Sequence, residues 1–299
     1  MKAFVFPGQG SQKKGMGRSL IGKNPGYKDY YRKASDVIGE DLFKIINDDN
    51  DDRLNITQFT QPAILTTGII ADDYLKKHSE LVPDAVAGHS LGEWTALVSA
   101  GTIDFEDAVR LVHLRGRFMS EACPPGKGGM TAVMGLEEEK LEEILAEYTG
   151  ISIANFNSPG QIVISGDLTH FDEVEEKIKQ AGAKMVVRLE VSGPFHSELI
   201  HPAADRLKKE LEGVAFRQPE VPVYQNVDGM PHKDIHEIKE NLIRQITMPV
   251  KWTYSVENMI KDGMTSFYEI GHGGVLTGLT KRIDGSVKRE KFDKLIKKL

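Results

Sequence analysis

The pentapeptide Gly88-His89-Ser90-Leu91-Gly92 constrains this chain more than any other feature. Ahead of it, Asp84-Ala85-Val86-Ala87 reads as a short buried strand; after it, Glu93 to Ala100 reads as a helix closed by Gly101. A serine in a strand–turn–helix junction of this kind sits on a nucleophile elbow. The turn is so sharp that the flanking positions must be small, which explains Gly88 and Gly92. The serine hydroxyl then stands exposed above the sheet. The following helix points its positive end at that hydroxyl, which favours a developing oxyanion. The Leu91 amide is one natural donor to it. Ser90 is therefore the expected nucleophile, and acyl chemistry is what such a serine serves.

The remaining pattern supports an α/β core. Lys2 to Phe6 reads as a buried strand and Gly8 to Gln12 as a loop. The loop is no dinucleotide fingerprint, because Lys13 stands at the third glycine position. Thr60-Gln61-Pro62 is expected to open a helix running to Lys77, and Phe105 to Ala122 a helix with apolar residues at 105, 108, 109, 112 and 119. Strands alternating with helices imply a mainly parallel sheet. After Pro124-Pro125-Gly126 the order changes. Strand 130–134, helix 137–148, strands 151–155 and 161–165, helix 171–180 and strand 184–191 follow in turn. The order β-α-β-β-α-β is that of a ferredoxin-like unit. It reads as a small subdomain inserted into the larger one, with the active site in the cleft between them.

A serine nucleophile needs a base. Of nine histidines, His78, His170, His232 and His236 lie in polar stretches. His89 adjoins Ser90 and should diverge from it. His196, in Ser192-Gly193-Pro194-Phe195-His196-Ser197, lies where the chain leaves the insert; His201 and His272 are its rivals. Arg115 shares the buried side of its helix with Ala108 and Val112, whereas Arg110 and Arg117 fall on the polar face. A buried arginine needs an anion, supplied by an internal salt bridge or by a substrate carboxylate.

Several further stretches complete a pattern: Phe6-Pro7-Gly8-Gln9-Gly10-Ser11-Gln12, Arg115-Gly116, Asn155-Phe156-Asn157-Ser158-Pro159-Gly160, Pro194-Phe195-His196-Ser197, Asn226-Val227-Asp228 and Val275-Leu276-Thr277-Gly278-Leu279. With Gly88 to Glu93, and in this order nearly end to end, they resemble the malonyl-CoA:acyl carrier protein transacylases of type II fatty acid synthesis. The resemblance implies Ser90 as nucleophile and His196 as base, with the imidazole oriented by the backbone carbonyl of Gln245. It implies Gln9 and Leu91 as oxyanion-hole amides and Arg115 as the binder of the malonyl carboxylate. Gln61, His89, Phe195, Asn155 and Asn157 are expected to line the substrate site. In related acyltransferases a phenylalanine at the position of Phe195 accompanies malonyl use, and a serine often accompanies methylmalonyl use. Gly271-His272-Gly273-Gly274 departs from the Gly-Pro-Gly that relatives carry there.

The fold class expected is α/β: an α/β-hydrolase-like core with a parallel sheet, formed by 1–125 and 193–299, plus an inserted ferredoxin-like subdomain at 126–192. The expected partners are malonyl-CoA and holo-acyl carrier protein, with no metal and no cofactor of its own. A net charge of −6 argues against nucleic acid. No apolar run approaches the ~18 residues that a membrane span needs, and the first residues do not make a signal peptide, so a cytoplasmic monomer is expected. Cys123 alone makes no disulfide. Residues 281–299 carry eight Lys/Arg against three acids, a net of +5, which reads as a solvated terminal helix. The alternatives are an acyltransferase serving a polyketide synthase, a serine thioesterase or other hydrolase, and a non-catalytic carrier-binding module.

Overall fold

The computed structural model describes residues 1–299. Its ten strands are β1 (Lys2–Phe6), β2 (Ala85–Gly88), β3 (Gly128–Met134), β4 (Ile151–Ser158), β5 (Gln161–Asp167), β6 (Met185–Arg188), β7 (Val223–Tyr224), β8 (Pro231–His232), β9 (Ser266–Glu269) and β10 (Lys288–Lys291). One sheet has the order β10-β9-β1-β2-β7-β8 and is parallel except where β8 pairs with β7. Its central strands are apolar and buried from Ala3 to Phe6 in β1 and from Ala85 to Gly88 in β2, because both faces are covered, as parallel sheets require. Phe4, Phe6 and Val86 turn towards the helices Thr57–His78, Leu91–Ser99 and Phe105–Glu121. The small residues Ala3, Ala85 and Ala87, with Val5, turn towards helices Trp252–Lys261 and Val275–Ile283. Alanines on that face let Trp252, fully buried, lie close against the sheet.

The long helix starts at Thr57, not at Pro62, which stands inside it. Proline has no N–H, so the carbonyl of Gln58, four residues earlier, loses its helical partner. His113 of the neighbouring helix meets that carbonyl with Nδ1 at 2.9 Å. Beside this contact a Cβ on Gly116 would lie 2.7 Å from the Gln58 Cα, so glycine there lets the two helices touch backbone to backbone. This close crossing carries Arg115 and Gln61 to the same point.

The second sheet, β4-β5-β3-β6, is antiparallel throughout. Helices Glu138–Leu145 and Phe171–Gln180 pack on one face, through Leu141, Ile144, Phe171, Val174 and Ile178. Connection order and strand order together are those of a ferredoxin-like unit. The segment before helix 252–261 grips its edge: the Phe156 N–H donates to Val250 O at 2.9 Å and the Val250 N–H to Ala154 O at 2.8 Å.

The basic C-terminal stretch corrects the expectation of a solvated helix. It contains the end of helix 275–283, edge strand β10 and a short helix Phe292–Leu295 whose Phe292 and Leu295 are buried. Strands β7 and β8, only two residues each, and the four-residue β10 are too short for a legible alternation.

Candidate active site

Ser90 stands at the carboxyl end of β2 with φ 50° and ψ −104°. The turn brings its flanks into contact. A Cβ on Gly88 would lie 1.9 Å from the Gly92 carbonyl carbon, and a Cβ on Gly92 would lie 2.0 Å from Phe6 O. Both must be glycine for Ser90 to be presented this way. Although Ser90 precedes helix Leu91–Ser99, its hydroxyl does not cap that helix. The hydroxyl is directed to His196, with Oγ 2.9 Å from Nε2.

His196 is itself at positive φ, 57°, and is buried. Its Nδ1 lies 2.7 Å from the Gln245 backbone oxygen. A carbonyl can only accept, so Nδ1 carries the proton and Nε2 is left as the acceptor facing Ser90. Burial, then the charge of Arg115, pushes the imidazole down to about 3. It is therefore neutral in the resting site, with a free lone pair. His201 is exposed beside Glu198 and Asp205, and His272 borders a different small cavity with Gly17 and Phe292. Neither rival reaches Ser90.

Arg115 is 1% exposed. It donates through Nη1 to Gln61 Oε1 at 2.8 Å, and through Nη2 to Gln245 Oε1 at 2.9 Å and to Ser90 Oγ at 3.0 Å. All three acceptors are neutral. Burial lowers the guanidinium to about 10, with Glu93 opposing from a distance. Glu93, also fully buried, is pushed up to about 7 by desolvation against its own hydrogen bonds. The site thus holds a cation with no carboxylate against it, next to a serine hydroxyl. Such a group binds an anion strongly in a dry cavity.

A cavity of about 140 Å³ opens onto these groups. Of the expected residues, Gln9, Gln61, His89, Ser90, Leu91, Arg115, Asn155, Phe195 and His196 line it. Gln245 lies behind it, and Asn157 lines the adjoining groove of about 260 Å³ together with Gln9, His89 and Asn155. His89 turns from Ser90 and meets Asn157 Oδ1 with Nε2 at 2.7 Å. The N–H groups of Gln9 and Leu91 have no partner within the protein. The sequence reading did not select the apolar wall of Met119, Met130, Leu189 and Val191, nor Glu93 and Asn226 beneath the elbow. Only proximity to Ser90 marks the apolar wall, whereas Glu93 and Asn226 stand in stretches that carry the family resemblance without a role being assigned to them.

Comparison with known proteins follows the same lines. Residues 3–291 match the acyl transferase domain family. The malonyl CoA-acyl carrier protein transacylase of Bacillus subtilis strain 168 is 43% identical over 290 residues, which is 96% of this chain and 91% of that protein. An acyl carrier protein S-malonyltransferase from Vibrio cholerae superimposes with a TM-score of 0.94 at 43% identity, covering 97% of this chain and 96% of that one. A malonyl-transacylase solved in complex with its type II polyketide acyl-carrier protein gives a TM-score of 0.94 at 42% identity, covering 97% and 95%. Fold, elbow and extent of match agree, and the chain belongs to the acyl transferase domain family.

Proposed function

We propose that this chain is a malonyl-CoA:acyl carrier protein transacylase working through a Ser90 acyl-enzyme in fatty acid synthesis. The observation that carries the proposal is the Arg115 guanidinium 3.0 Å from Ser90 Oγ, buried and without an ion-pair partner. A hydrolase of neutral esters gains nothing from a buried cation there. An acyl group ending in a carboxylate does, because the cation places its thioester over the serine.

In the first half-reaction Ser90 Oγ attacks the thioester carbon of malonyl-CoA and its proton passes to His196 Nε2. The oxyanion forms towards the Leu91 and Gln9 N–H groups, at the positive end of helix Leu91–Ser99. The carbon–sulfur bond breaks, the Nε2 proton goes to the CoA sulfur, and malonyl-Ser90 remains. In the second half the phosphopantetheine thiol of the carrier gives its proton to Nε2 and attacks the ester. The carbon–oxygen bond breaks and Ser90 Oγ takes the proton back. The low proton affinity of His196 in the resting site favours giving the proton up and opposes taking it, and a malonyl carboxylate on Arg115 would offset one of the causes of that lowering.

Residues 1–125 and 193–299 form the catalytic domain in this reading, and 126–192 the insert whose Asn155, Leu189 and Met130 wall the cleft. The chain uses no metal or cofactor and acts as a monomer in the cytoplasm; no helix is long and apolar enough to cross a membrane. Service to a polyketide carrier is the second reading, favoured by the likeness to the complexed transacylase. Intact-mass measurement tests the function. Malonyl-CoA should add one malonyl group to the protein, and holo-acyl carrier protein should then remove it. No adduct, or an adduct that only water removes, would overturn the proposal.

A further inference from the structure

A residue that does not reach the cavity bonds to the backbone on both sides of the Ser90 turn. Asn226 follows β7, is fully buried, and sits directly beneath the elbow. Its Oδ1 accepts from the Ser90 N–H at 2.7 Å, and its Nδ2 donates to Gly88 O at 2.7 Å. Strand β7 pairs with β2 only as far as Tyr224 and Ala87. Beyond that point the backbone of β2 turns away, and one carboxamide takes over as its pairing partner on both sides of the turn. The second lone pair of Oδ1 accepts from Gln245 Nε2 at 3.2 Å. Gln245 Nε2 also donates to Ser90 O at 3.2 Å, and its own backbone oxygen orients His196. Asn226 is anchored in turn: its N–H donates to Glu93 Oε2 at 2.6 Å, and its carbonyl accepts from the Lys251 N–H at 2.8 Å.

We propose that Asn226 is the positioning residue of the nucleophile–base pair, one carboxamide fixing the strained backbone of Ser90 and, through Gln245, the imidazole that faces it. The proposal rests on the reading of Ser90 as nucleophile and His196 as base. The two arrive from chain segments 106 residues apart, and both have positive φ. Neither conformation holds itself, so something common to both must set their separation. Gln245 touches Ser90 O and His196, and Asn226 is the side chain that holds the backbone on both sides of the turn and Gln245 as well. The amide is matched to this task. Oδ1 meets two donors and Nδ2 meets an acceptor, so neither aspartate nor leucine, of similar size, satisfies all three.

The test is a cycle of variants read with a small neutral fluorophosphonate, which phosphonylates an activated serine without using CoA, carrier or carboxylate. Wild type, Asn226→Ala, His196→Ala and the double variant are compared for the rate of Ser90 labelling, and the single variants also for malonyl-CoA turnover. Asn226→Ala should slow labelling and malonyl kcat about 100-fold, with KM within about twofold and a cooperative melt retained. In the His196→Ala background the same substitution should cost less than about threefold, because the pair it aligns is already gone. Asn226→Asp keeps the acceptor and loses the donor to Gly88 O; it should lose about tenfold, and it replaces the alanine in the cycle if that variant does not fold. Equal losses in both backgrounds, or a loss confined to KM, would overturn the role of Asn226. A His196→Ala variant labelled as fast as wild type would instead overturn the base assignment beneath it.

Discussion

Ser90 and His196 are the two non-glycine residues of the chain with positive φ, and their side chains meet at 2.9 Å. Backbone strain is therefore concentrated at both ends of one hydrogen bond. Packing supplies what holds it: glycines at 88 and 92 on one side, and the Gln245 carbonyl on the other.

Ser90→Ala removes the oxygen proposed to attack the thioester and replaces no other group of the cavity. Intact-mass spectrometry after mixing with malonyl-CoA should find no adduct on this variant. A malonyl group that persisted on it would place the nucleophile elsewhere.

Arg115→Ala should separate acyl groups by charge. A charge-assisted bond to a carboxylate in a dry site contributes about 3 kcal/mol, so malonyl transfer should fall about a hundredfold. Acetyl transfer should survive or rise, since Arg115 also donates to Ser90 Oγ in the resting site and that contact disappears. Equal losses for the two acyl groups would make Arg115 a structural residue.

Gly92→Ala tests the elbow as geometry. The new methyl group would sit 2.0 Å from Phe6 O, a backbone atom that cannot swing aside. The strand–helix contact must open, costing at least about 3 kcal/mol. Chemical denaturation should report that loss together with loss of acylation; a variant as stable as wild type would mean that the turn is looser than it looks.

Acidity gives two signatures of opposite sign. His196, pushed down to about 3, remains a neutral base well below the range of an ordinary histidine. The acid limb of kcat/KM should therefore lie below pH 5 instead of near 6.5. Its folded value is below its unfolded one, so the stability it contributes is present above about 6.5 and is lost as pH falls towards 3. Glu93 runs the other way. Raised to about 7, it contributes stability that is present below about 4.5 and is lost as pH rises through 7. Melting temperature measured from pH 6 to 8 should fall in the wild type and stay flatter in Glu93→Gln; identical slopes would assign the titration to another group.

Phe195 lines the cavity next to His196 and is buried, so its ring is expected to limit the space beside the α-carbon of an acyl group on Ser90. Phe195→Ser should raise methylmalonyl-CoA turnover relative to malonyl-CoA by about tenfold, within the discrimination one methyl group allows. A proportional loss of both activities would make Phe195 a support of His196 alone.

What the sequence by itself determined is local. The elbow is written in five consecutive residues, although only the demand on Gly88 is met within the turn, at Gly92; the one on Gly92 comes from Phe6 O on the neighbouring strand. The burial of Arg115 follows from helical periodicity, and the succession of elements in the insert follows from its alternating strand and helix patterns. Tertiary structure decided what depends on contacts between distant segments. The resemblance implied His196, but the residues alone left His201 and His272 as rivals, and which of the three faces Ser90 depends on the loop that crosses the cleft. The start of the long helix at Thr57 required His113 to receive the carbonyl that Pro62 abandons. The lack of an ion-pair partner for Arg115 could not be read from its own helix. Asn226 stands in a stretch that carries the family resemblance, but its place beneath the elbow is not legible there, since an asparagine after a two-residue strand looks like any turn. Its importance comes from lying beneath a backbone that makes its hydrogen bonds 136 and 138 residues away. Periodicity and turn chemistry act over a few residues, and a site assembled from segments far apart in the chain is specified only when the chain closes on itself.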